Sequence, residues 1–171
     1  MFTRTLISLG LAMVLSLPGT AGAAPRGQNF DTPLTGEEEV PPRETRARGQ
    51  LTLQLSADES TFDYRLIVSN ISNVTAAHIH CGPAGVNGPV KQFLYGDVAP
   101  GGGRTDGVLA EGTFPTPTGD CAGTSFLDAI RSGLTYVNVH TNDGVAPTNT
   151  GPGDFPGGEI RGQIESRGPG E

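Results

Sequence analysis

Leu51-Thr52-Leu53-Gln54-Leu55, followed closely by Phe62-Asp63-Tyr64-Arg65-Leu66-Ile67-Val68, decides the fold class. In each run apolar and polar residues alternate, the pattern of a strand with one face in a core and one in water. The link between them, Ala57-Asp58-Glu59-Ser60, is polar and turn-like. The two runs are therefore expected to pair as an antiparallel hairpin. Further strands are expected at about 75–81, 90–95, 107–114, 136–141 and 158–164, separated by loops rich in glycine and proline. Gly36 to Pro42 suits an edge or an extended lead-in, because its two prolines bar a central strand. One short helix is expected. Ser125-Phe126-Leu127-Asp128 has the form of a capping box with Asp in place of Glu, Phe126, Leu127 and Ile130 supply an apolar face, and Gly133 ends it. The sum is an all-β domain with one short helix.

Two of these strands carry all three histidines. In Ala77-His78-Ile79-His80-Cys81, His78 and His80 share a face while Ile79 takes the other. Two residues along a strand is about 6.7 Å, close enough for two imidazoles to converge on one ion. In Tyr136-Val137-Asn138-Val139-His140-Thr141, Val137 and Val139 take the core side, so His140 points outward like the first pair. If the two strands are neighbours, the three imidazoles meet on one outer surface. Such a set suits copper, with zinc the alternative, and leaves a position open for water or substrate. Asn138, which shares a face with His140, and Tyr136 and Asp143 nearby are candidates for secondary contacts. Because neutral imidazole binds metal, affinity is expected to fall as pH drops through about 6.5.

The remaining charged residues carry weaker signals. Glu37-Glu38-Glu39 matches no calcium loop and reads as a solvated run. Glu159 and Arg161 read as a structural ion pair or as edge charges. Ser125 lacks the surroundings of a hydrolase nucleophile, and no histidine is spare to serve as its base.

Residues 1–23 have the form of an export signal. Arg4 supplies the positive start, Leu6 to Leu17 the apolar run, and Ala21-Gly22-Ala23 the cleavage site. The apolar run is short for a membrane span. Cleavage would leave 148 of the 171 residues, with ten basic and 18 acidic side chains, a net charge of −8. That balance argues against nucleic acid and anionic membranes as partners. The expected location is secreted or periplasmic. Residues 24–34 read as a loose lead, 35–165 as one domain and 166–171 as a tail. In an exported chain the two cysteines, Cys81 and Cys121, form a disulfide by default. The alternative is Cys81 as a thiolate ligand beside His80.

Five motifs in order resemble the CHRD domain family, named for chordin. They are Leu34-Thr35-Gly36-Glu37-Glu38-Glu39-Val40-Pro41-Pro42, Ala76-Ala77-His78-Ile79-His80, Gly85-Val86-Asn87-Gly88-Pro89-Val90, the second histidine strand, and Gly158-Glu159-Ile160-Arg161-Gly162-Gln163. The resemblance implies a Greek-key β-sandwich or barrel of immunoglobulin-like or superoxide-dismutase-like form. The chain is also similar to copper/zinc superoxide dismutases, which present His-x-His on one strand and a further histidine on a late one. Those enzymes use a fourth copper histidine and a zinc set, and this chain has no histidine left for either. That gap counts against a superoxide dismutase-like oxidoreductase. An extracellular protein-interaction or matrix module is the other alternative to a metal-binding domain.

Overall fold

The computed structural model describes residues 28–166; the expected export signal and the end of the tail lie outside them. The elements in chain order are β1 (Asn29–Leu34), β2 (Arg48–Leu55), β3 (Thr61–Ser72), β4 (Val74–Cys81), β5 (Val90–Tyr95) and β6 (Arg104–Pro115). Then come β7 (Asp120–Cys121), β8 (Thr124–Ser125), α1 (Phe126–Arg131), β9 (Thr135–Thr141), β10 (Ile160–Gln163) and β11 (Glu165–Ser166). One sheet has the order β11-β1-β2-β3-β6, the other β10-β9-β4-β5, and β7 pairs with β8. Their inner faces contribute to one core cluster, so the domain is an all-β sandwich. The chain crosses between the sheets from β3 to β4 and again from β5 to β6, rather than winding each sheet in turn.

The expected hairpin forms, with Leu51 opposite Leu66, Leu53 opposite Tyr64 and Leu55 opposite Phe62. Leu51, Leu53, Leu55, Phe62 and Leu66 are buried, while Thr52, Gln54, Asp63 and Arg65 face solvent. Phe62 is the centre of an aromatic cluster. Its ring lies 5.4 Å from Phe114, 5.8 Å from Phe126 and 6.2 Å from Phe30. The helix starts where expected: Ser125 Oγ accepts a hydrogen bond from the Asp128 amide. Its buried residues are Phe126, Ala129 and Ile130, so Ala129 takes the place expected of Leu127.

Three expectations need correction. Residues 29–34 are not a loose lead but a strand between β2 and β11. Pro33 is tolerated there because β11 covers only Phe30 and Asp31, so no ladder bond is asked of the proline nitrogen. Second, β6 begins at Arg104 and pairs with β3 past two bulges, so the glycine-rich stretch before it is shorter than expected. Third, Ser166, expected to begin the tail, pairs with Phe30, next to the pair of Glu165 with Asp31.

β4 and β9 lie side by side at the centre of the second sheet, with His78 opposite Asn138, His80 opposite Tyr136 and Ala76 opposite His140. Ala77, Ile79, Val137 and Val139 are wholly buried. The disulfide forms between Cys81 and Cys121, which disposes of the thiolate-ligand alternative.

Candidate metal centre

One ring nitrogen from each of His78, His80 and His140 lies within 4.8 Å of the other two. The strand alternation that puts Ile79, Val137 and Val139 in the core turns these imidazoles to the other face. That face is not an open surface. His78 and His80 are each only 8% exposed. Phe93, opposite His78 on β5, packs edge-on against its ring at 4.4 Å. The loops that carry Gly88 and Pro156 reach the rings of His80 and His140.

The hydrogen bonds fix the tautomers. His80 Nδ1 lies 2.9 Å from the Gly88 carbonyl, and His140 Nδ1 lies 2.9 Å from the Pro156 carbonyl. A carbonyl only accepts, so each Nδ1 carries the proton and each neutral ring keeps its lone pair on Nε2. Metal-ligating histidines are commonly oriented in this way. Among the described residues, His78 Nε2 and His80 Nε2 are buried and have no hydrogen-bond partner. His140 Nε2 lies 3.1 Å from His78 Nδ1 and 3.0 Å from Asn138 Oδ1. An oxygen and a lone-pair nitrogen at that distance repel. The contact becomes favourable if the amide turns its NH2 inward, or if a cation joins both atoms. At zinc–nitrogen distances of about 2.0–2.1 Å, two ligand nitrogens on a tetrahedral ion sit about 3.4 Å apart. The ligand nitrogens here lie within 4.8 Å of one another, so the widest pair closes by up to about 1.4 Å to meet one ion. The donor set fits a transition-metal ion.

All three imidazoles are held below the ordinary histidine value. Desolvation is the largest cause for each, and it takes His78 down to about 4, helped by the neighbouring His140 and His80. The rings therefore stay neutral and able to bind metal to lower pH than free imidazole, and the pH threshold expected from the reference value moves down.

His80 belongs to a longer stack. Its ring is 4.8 Å from Tyr136 and nearly parallel to it, at 9°. The Arg161 guanidinium lies 3.4 Å above the Tyr136 ring centre. Arg161 is 1% exposed and donates to Asn87 Oδ1 and to the Pro83 and Val86 carbonyls. Arg161 and Glu159 are therefore not an ion pair. Glu159 is buried separately and accepts from the Thr45 and Thr141 hydroxyls and the Gly153 amide. Nor is Glu39 part of a solvated run. It is 3% exposed, its Oε1 is unpartnered among the described residues, and burial raises its carboxyl to about 7 despite Arg161 and Arg43 nearby.

Of the candidate secondary residues, Asn138 lies against His140 Nε2. Tyr136 stacks on His80, and its hydroxyl accepts from the Gly88 amide at 3.0 Å. Asp143 stands outside the cluster and accepts from the Val145 amide in its own loop. Sequence reasoning missed the Gly88 and Pro156 carbonyls, which leave no mark in residue type. It also missed Asp97, whose charge acts on both His78 and His140.

The profile of the CHRD domain family matches residues 30–164. Searches of curated proteins and of solved structures returned no match.

Proposed function

The chain belongs to the CHRD domain family, and from that premise we propose that it is an exported domain that binds one copper ion through His78, His80 and His140. The observation that carries the reading is the pair of Nδ1–H groups tied to the Gly88 and Pro156 carbonyls, which leaves the Nε2 lone pairs of His80 and His140 for a metal. Copper is favoured because imidazole donors bind divalent copper most tightly among the first-row ions. Export is supported by the form of residues 1–23 and by the Cys81–Cys121 disulfide, a bond typical of oxidising compartments.

The test is metal content. Protein purified without a histidine tag is exposed to equal copper, zinc and nickel, desalted and measured by mass spectrometry. The reading expects one equivalent of copper. Zinc or nickel in its place would refute the choice of metal, and no retained metal would refute the site.

A further inference from the structure

Resting on that reading, we propose that Asp97 completes the site: its carboxylate supplies a fourth donor to the divalent metal ion held by His78, His80 and His140. β5 runs antiparallel to β4 with Phe93 opposite His78 and Tyr95 opposite Ala77. The pairing continues past the strand end, where the Val98 amide donates to the Thr75 carbonyl at 3.0 Å. Asp97 is thereby held beside Ala76, and the residue across from Ala76 on the other flank is His140. Asp97 and His140 thus flank β4 on its two sides, and Asp97, which lies outside the group of three imidazoles as it stands, must swing inward to join them. Neighbouring strands are about 4.8 Å apart, so their backbones are separated by about 10 Å, a gap that an imidazole and a carboxylate reaching toward each other can close.

Two further observations agree. The Asp97 charge is felt by His78 and by His140, which opposes the effect of burial on both. Asp97 is exposed, and no hydrogen bond or ion pair engages it among the described residues. The chemistry asks for such a group. Three neutral imidazoles leave the full charge of a divalent ion in a largely buried setting, which is costly unless an anion accompanies it. Aspartate oxygen is an accepted fourth donor beside histidine nitrogens.

The test compares Cu(II) affinity, by competition with a chelator, in the parent, Asp97→Asn, Asp97→Ala and His80→Ala. Loss of even an outer-shell partner commonly costs about 10–100-fold in metal affinity. Both Asp97 variants are expected to lose at least about tenfold. The loss should persist in about 1 M NaCl, where the screening length is about 3 Å and a merely nearby charge no longer acts. Parent-like affinity in both variants, or a difference that vanishes at high salt, overturns the role of Asp97. In either case loss of binding in His80→Ala leaves the three-histidine site standing. If the parent takes up no Cu(II), both fall together.

Discussion

Replacing Glu39 by glutamine isolates one buried carboxyl. In the folded protein Glu39 keeps its proton up to about 7, whereas its ordinary value is 4.5. Below pH 4.5 the carboxyl is protonated in both folded and unfolded chains and costs nothing. Between 4.5 and 7 the folded chain binds more protons, so stability is lost as pH rises. Above 7 the loss is complete. The two values differ by about 2.5, which at about 1.36 kcal/mol per pH unit amounts to about 3 kcal/mol. His78 acts in the opposite sense. Its folded value of about 4 lies below 6.5, so stability is lost as pH falls through that window. His80 and His140, also held low, act in the same sense as His78, so in the parent the imidazoles oppose the carboxyl over this range. The glutamine amide does not titrate, and the histidines are common to both proteins. The stability of Glu39→Gln minus that of the parent, from urea unfolding of the metal-free proteins, should therefore rise by about 3 kcal/mol from about pH 4 to about pH 8. A difference that stays constant across this range would show that Glu39 ionises freely in the fold and that its burial has been misjudged.

Other outcomes follow from the core and the site. Phe62→Ala removes the centre of the aromatic cluster and should cost about 3–5 kcal/mol in denaturant unfolding. The disulfide joins residues 40 positions apart, so its reduction should cost about 4 kcal/mol in the chain-entropy model, and denatured, unreduced protein should show no titratable thiol. Copper affinity, measured by chelator competition, should begin its fall only below pH 6.5, because burial holds all three imidazoles under their ordinary value, His78 at about 4. A steep fall beginning at pH 6.5 would mean that the imidazoles are solvated.

The parts of this molecule legible in the sequence are those set by alternation. Leu51, Leu53 and Leu55 against Phe62, Tyr64 and Leu66 give the hairpin, and Ile79, Val137 and Val139 give the facing of the histidines. Ser125 marks the helix start through its own local hydrogen bond. Burial imposed from a distance was not legible. Glu39 reads as one of three equal acids, yet only Glu39 is drawn in, near Arg161, which itself is held by the carbonyls of residues 83 and 86. β1 was hidden because Pro33 argues against a strand, and its tolerance there depends on how short β11 is. The backbone carbonyls that orient His80 and His140 come from loops 8 and 16 residues further on, where residue type gives no hint of the contact.

Titration calorimetry with Cu(II) on the parent, His80→Ala and His140→Ala tests the central claim most directly. The two histidines come from different strands, 60 positions apart, and the strand cores beneath them, Ile79 and Val139, are untouched. The account predicts one ion per parent molecule and a strong loss of affinity in each variant. Parent-like affinity in both would contradict it, because a site that survives the loss of a ligand from either strand is not built from these three imidazoles.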